Sequence, residues 1–321
     1  MPGADYSEPF EYGSELQGRG FSTQTDLIVG VSMWMALLAV IFGCMNIYIV
    51  WKLTIFHNSF GAFWMSRTIG EVGANLVHVV YSAPVTVFQP KSIPPNVGIV
   101  AFTLGLYLAC EACVLHQVVA TNRMVAVCFP IRYKNVFNWK ITKILIFYCW
   151  TEVTVHHGDV LRIIGYSPKF YEYVFVRCPA DMERTYSLAG TIINRSCFVV
   201  CLVASVTDVV TLCRIVQITM LKKTAIIHKN FRRDVRFFGQ TSVQNLTMMI
   251  SCLFIVIANN GALRDTVTIS VLAFDTLIFT HLSNSLALIV FNPEVRQFLR
   301  QRISKLLKRS QESTTAREFV Y

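Results

Sequence analysis

Glu152, His156, His157 and Asp159 are the densest group of side chains in this chain that could move protons or hold a metal. Glu152 and His156 stand four residues apart, which puts both on one helix face. The group closes an apolar segment, and the simpler reading is the polar end of a membrane span meeting an aqueous cavity. Cys110-x-x-Cys113 could offer two thiolates from one helical turn, but neither a second cysteine pair nor a histidine pair answers it at ligand spacing. No metal and no cofactor are therefore expected. A P-loop, a nucleophile elbow and a dinucleotide fingerprint are all missing, so the chain reads as no enzyme. What remains is a set of single charges and polar groups placed inside apolar stretches: Arg67, Glu71, Arg123, Arg195, Asp208 and Asp275.

Those charges need an explanation because the chain around them is made for lipid. Apolar residues make up 54% of the sequence, charged residues only 15%, and mean hydropathy is +0.49, which is too apolar for an ordinary soluble domain of 321 residues. About 20 apolar residues cross a bilayer core as a helix. Leu27 to Trp51, Val72 to Pro90, Ser92 to Cys110 and Phe237 to Leu263 run without a charge. Ile141 to Gly158, Leu188 to Leu212 and Val267 to Phe291 are apolar runs broken by single ionisable groups, which a membrane accepts chiefly where they face a bundle interior or a water-filled cavity. The expected fold is thus all-α, a bundle of seven transmembrane helices over residues 27–291. An extracellular segment precedes it at 1–26, and a basic cytoplasmic tail follows at 292–321. No internal repeat or inverted pair of broken helices argues for a transporter.

Orientation follows from the basic residues, which collect in cytoplasmic loops. Arg132, Lys134 and Lys140 lie between the third and fourth predicted spans, Lys222, Lys223, Lys229, Arg232, Arg233 and Arg236 between the fifth and sixth, and Arg296, Arg300, Arg302, Lys305, Lys308 and Arg309 after the seventh. The N-terminus is accordingly outside. The net charge of +10 reads as topology and attraction to the anionic inner leaflet, and nucleic acid is not an expected partner.

Asn122-Arg123-Met124-x-Ala126-Val127-x-x-Pro130 resembles the Asp-Arg-Tyr-x-Ala-Ile-x-x-Pro segment that ends the third helix of rhodopsin-like receptors, with Trp150 where that group carries its fourth-helix tryptophan. Gly43-x-x-Asn46 resembles its first-helix signature. Asn284-Ser285-x-x-Leu288 stands in place of the seventh-helix Asn-Pro-x-x-Tyr, and Asn292-Pro293-Glu294-Val295-Arg296 looks like the start of a short amphipathic eighth helix on the membrane surface. A closer resemblance, to the nematode serpentine chemoreceptor class X family, rests on His57-Asn58-Ser59-Phe60-Gly61, His157-Gly158, Asp208, Arg232-Arg233-Asp234-Val235-Arg236-Phe237-Phe238 and Phe291-Asn292-Pro293-Glu294-Val295-Arg296. The sixth span departs from rhodopsin-like receptors in lacking a tryptophan and a proline. The position of their third-helix cysteine falls at Gly98, which leaves Cys178 without an obvious partner.

The resemblance implies a G-protein-coupled chemosensory receptor in the plasma membrane, in a sensory cilium for such a family, with a heterotrimeric G protein and a small-molecule or peptide ligand as partners. The competing reading is a seven-helix ligand-gated channel or transporter. Coupling and switching fall to Asn122, Arg123, Pro130, Ile131 and Arg236, with Asp208 or Asp234 as the acid that locks Arg123, since a guanidinium stays charged at all ordinary pH. Asn46, Glu71 and Asn284 are expected as a polar cluster across the first, second and seventh helices. Pairing of Glu71 with Arg67, four residues earlier, is the open alternative. For the ligand, Gly105, Leu106, Ala109 and Cys110 are expected as pocket wall or floor, and Asn194, Arg195, Phe274 and Asp275 as residues that orient it.

Overall fold

A computed structural model describes residues 12–157, 164–176, 186–221, 225–258 and 267–318. The chain is mostly helical: α1 (Gln24–Met33), α2 (Met35–Lys52), α3 (Ser59–Val77), α4 (Ala83–Phe88), α5 (Pro95–Cys128), α6 (Pro130–Val136), α7 (Trp139–His157), α8 (Tyr186–Leu221), α9 (Ala225–Ala258), α10 (Val267–Phe291) and α11 (Pro293–Glu318). Among the described residues, five helical stretches are long and apolar enough to cross a membrane: Gln24–Lys52, Pro95–Cys128, Arg195–Ile218, Phe238–Ala258 and Val267–Phe291.

The second predicted span shows why the count by hydropathy stops at five. Its helix begins at Ser59, well before the Val72 that a charge-free window selects, and runs through Arg67 and Glu71. Both charges are buried against each other, so they cost the helix less than their type suggests. A π-turn at His78–Ser82 joins α3 to α4 just before Pro84. Proline has no N–H to give the preceding turn, and a π-turn is a common way for a helix to absorb that loss. The third span likewise continues past Cys110 to Cys128, carrying Glu111, His116 and Arg123 inside one helix.

Helix starts follow side-chain chemistry. Thr23 caps α1, with Asp26 completing the reciprocal capping box. Asn58 caps α3 by accepting from the Gly61 N–H at 3.0 Å. The Asn292 side chain accepts from the N–H groups of Glu294 and Val295 at 3.0 and 3.3 Å, and Pro293 fills the first position of α11, where a missing N–H costs nothing. α11 spans 26 residues, longer than the short eighth helix expected. Its first turns pack Val295, Phe298 and Leu299 onto Ile49, Trp64 and Leu288.

One departure from an all-α fold is a β-hairpin, β1 (Ile164–Ser167) and β2 (Glu172–Phe175), paired antiparallel with Ile164 opposite Phe175 and Ser167 opposite Glu172. Ile164, Tyr166, Tyr173 and Val174 give this short segment the β-branched and aromatic character that favours strands, and pairing satisfies its backbone locally. Outward faces of the long helices carry Leu38, Ile41, Val80, Phe147 and Val209, apolar residues that lipid would cover.

Candidate functional site: a buried polar centre between two ends of the bundle

Glu71 is the hub of the bundle's polar centre. Its Oε1 accepts from Asn284 Nδ2 at 2.6 Å, meets Arg67 Nε at 3.3 Å and stands 3.5 Å from His116 Nε2. Asn284 Nδ2 also lies 3.1 Å from His116 Nε2. Gln244 links a fourth helix to the group: its Oε1 accepts from Arg67 Nη1 at 3.4 Å, and its Nε2 donates to the Asn284 carbonyl at 3.1 Å. One turn away, Asn75 donates to the Glu71 carbonyl at 2.6 Å and lies 2.8 Å from His281 Nδ1. The Arg67 guanidinium sits 4.1 Å above the Trp64 ring, which shields its open face. Every one of these side chains is buried, so α3, α5, α9 and α10 meet through charge and hydrogen bonding in the bundle interior.

Of the three residues expected here, Glu71 and Asn284 are in direct contact, and Arg67 joins them. Asn46 is buried too, but its Nδ2 donates to the Ser285 carbonyl at 2.9 Å. At the neighbouring Gly43 a Cβ would come within 2.4 Å of Val72 Cγ2, so the missing side chain favours the close approach of α2 to α3. His116, Gln244 and His281 were not anticipated. Each is a single polar residue on an apolar helix, and nothing in its own neighbourhood predicts which helix it will face.

At the end of the bundle where α5 stops, Asn122 is buried and shares hydrogen bonds of 3.3 and 3.4 Å with the Tyr133 hydroxyl on α6. The Arg123 guanidinium lies 4.2 Å over the Phe60 ring. It also acts electrostatically on Asp208 of α8, whose Oδ2 accepts from Asn245 Nδ2 of α9 at 2.6 Å. Pro130 opens α6, and Ile131 beside it is 92% exposed. Ser59 donates to the Phe137 carbonyl and accepts from Thr142, both at 2.8 Å, which pins α6 and α7 to the start of α3. The backbone of Asp234 and Arg236 is helical within α9; their side chains lie outside the described residues.

The opposite end is roofed by the hairpin. Asp26 Oδ1 accepts from Tyr171 at 2.6 Å, Gln89 at 2.8 Å and Arg19 at 2.9 Å, while Arg19 also donates to the Lys169 carbonyl at 2.7 Å. Burial works against the Arg19 charge, but the Tyr171 hydrogen bond and the Asp26 carboxylate outweigh it and hold its pKa above the ordinary value. Burial, followed by donation to Asp26, raises the Tyr171 phenol. Below the roof, Tyr173 stacks obliquely on Phe102 at 4.4 Å and edge-on to Phe274 at 4.8 Å.

The residues expected around a ligand divide accordingly. Leu106 packs under the hairpin with Phe102, Ile164 and Tyr173, and Phe274 belongs to the same aromatic cluster. Gly105 faces Val77 of α3, Ala109 is half-buried and Cys110 is buried deeper along α5. Asp275 accepts from the Ser32 hydroxyl of α1 at 3.2 Å, and Arg195 is exposed on α8, apart from this group. The side chain of Asn194 lies outside the described residues, as do Cys178, Asp159 and the side chains of His156 and His157.

Cys113 of α5, Cys201 of α8 and Cys252 of α9 are buried together, with Sγ separations of 3.7 Å from Cys201 to each of the others.

Comparison with known proteins agrees with this architecture. The chain is 26% identical over 213 residues to Serpentine receptor class X 45 of Caenorhabditis elegans, a stretch covering 62% of this chain and 57% of that relative. The profile described as serpentine type 7TM GPCR chemoreceptor Srx matches residues 34–292, from the start of α2 to the residue before α11, and so takes in the polar centre, the Arg123 end and the hairpin. Helices built for a bilayer, joined by buried charge and matched to that profile along most of their length, make this a multi-pass membrane protein that belongs to the serpentine type 7TM GPCR chemoreceptor Srx family.

Proposed function

We propose that the protein is a chemosensory receptor of the plasma membrane with seven crossings and its N-terminus outside. It takes a small-molecule or peptide ligand under the hairpin and activates a heterotrimeric G protein at the Arg123 end. The observation that carries this reading is the placement of Arg123: stacked on Phe60 of α3 and acting on Asp208, which is itself hydrogen-bonded to Asn245 of α9. We read the attraction between Arg123 and Asp208 as a tie from α5 to α8 and, through Asn245, to α9. Outward movement of α9 breaks the tie and exposes the guanidinium, a switch between two discrete packings. Asp208 is the lock on this reading; the exposed Ile131 and the basic Arg236 complete the surface offered to the G protein.

The test measures proximity of a labelled G-protein panel to the expressed receptor during an odorant and metabolite screen, in the native chain, R123A and D208N. A ligand-dependent signal in the native chain, its loss in R123A at equal surface expression, and raised basal signal in D208N are expected. Ligand-evoked conductance or uptake that persists in R123A would overturn coupling in favour of a channel or transporter.

A further inference from the structure

We propose that Cys113, Cys201 and Cys252 form a binding site for one copper(I) ion, a soft-metal staple joining α5, α8 and α9. The three Sγ atoms lie within 4.8 Å of one another, with Cys201 at 3.7 Å from both partners. A metal bonded to three sulfurs at about 2.3 Å in a plane needs them about 4.0 Å apart, so the triangle is close to closed around a single ion.

The surroundings select the kind of ion. Met248 is buried in the same cluster, and Cys197, Phe198, Val200, Met249 and Leu277 pack around it. Sulfur donors in an apolar shell favour soft ions over the hard, oxygen-seeking ones. Coordination number then separates copper(I) from zinc(II). Copper(I) is satisfied by three sulfurs in a plane, each thiol giving up its proton as it binds. Zinc(II) in a structural site takes four ligands in a tetrahedron, and the triangle offers three. Neither cysteine spacing nor any motif announces this site, since its donors come from three helices distant in sequence.

The site is tested on the purified full-length receptor in lipid nanodiscs, kept reduced and titrated with copper(I) against a competing chelator. Expected is one tightly bound ion per chain, X-ray absorption showing three sulfurs at about 2.3 Å, and release of the thiol protons as the ion binds. C201S should lose more than the roughly 10- to 100-fold that removing a mere outer-shell partner costs, while a C44S/C213S variant, lacking two exposed cysteines, keeps native affinity. Absorption on the native chain decides the matter even if C201S fails to fold: fewer than three sulfurs, or oxygen and nitrogen ligands, would overturn the site. Zinc held more tightly than copper(I) would overturn the choice of ion. Binding is read without ligand or G protein, so the outcome stands apart from the receptor reading.

Discussion

Arg67 and Glu71 set the energetic terms of the interior. Both are buried, and each is compensated by the other at 3.3 Å together with Gln244, Asn284 and the Trp64 ring. Removing one partner of such a pair strands the other charge, at a cost of about 3–5 kcal/mol, whereas replacing both with apolar groups of similar size is often nearly neutral. R67M and E71M should therefore each lower the thermal midpoint of the purified protein sharply, and the double variant should recover most of the loss. Additive losses in this cycle would show that the two side chains do not interact. The pairing was legible in the sequence because four-residue spacing on one helix fixes it locally. Asn284 was legible only through resemblance. His116, Gln244 and His281 were not legible, because the rotation of three other helices decides where each lone polar group points, and that rotation is set by packing along the whole span. The cysteine triangle escaped notice for the same reason: Cys110-x-x-Cys113 drew attention as a local pair, while the true neighbours of Cys113 lie on α8 and α9.

Among the elements, the hairpin and the start of α3 show how short polar motifs position long helices. The His57-Asn58-Ser59-Phe60-Gly61 motif is explained residue by residue: Asn58 caps α3, Ser59 fastens the α6–α7 corner, Phe60 stacks with Arg123, and Gly61 has no Cβ because one would meet the Phe56 carbonyl oxygen at 1.9 Å. None of this was legible as mechanism from spacing alone, although the cap itself is a sequence-level signal. The hairpin was overlooked since its four-residue strands are shorter than any hydropathy window. It hangs on Asp26, which receives three hydrogen bonds from Tyr171, Gln89 and Arg19. Losing a buried charged acceptor costs about 3 kcal/mol. D26A should then speed amide exchange in residues 164–175 on the order of 100-fold while leaving α8 and α10 unchanged, read by hydrogen–deuterium exchange and mass spectrometry. Unaltered hairpin exchange would mean that the aromatic contacts of Tyr173 with Phe102 and Phe274 hold the roof without Asp26.

For the whole molecule the open quantity is the number of crossings, and the charge distribution makes it testable. Hydropathy recognises the five long apolar helices. The two it passes over carry charge: α3 holds the buried Arg67–Glu71 pair, and α7 begins with the exposed Lys140 and Lys143 at the end where Arg123 lies. If both cross, the N-terminus and α11 are on opposite sides of the membrane, and the basic residues of α11 face the anionic inner leaflet, where each contributes about 1 kcal/mol of attraction. If either stays on the surface, the two ends share a side and the positive-inside bias is lost. A tag at residue 1 should be labelled on intact cells, and a tag after Tyr321 only after permeabilisation. Labelling of both without permeabilisation would remove one crossing, and if that crossing is α3 it would move Arg123 out of the cytoplasm. A glycosylation sequon engineered between α4 and α5, in residues 90–94, shows which helix is at fault, because it is modified only if α3 crosses, whereas one in the 168–171 turn is modified only if both α3 and α7 cross. Modification of that turn keeps the hairpin outside, as it must be if a ligand reaches the aromatic cluster beneath it from the extracellular side.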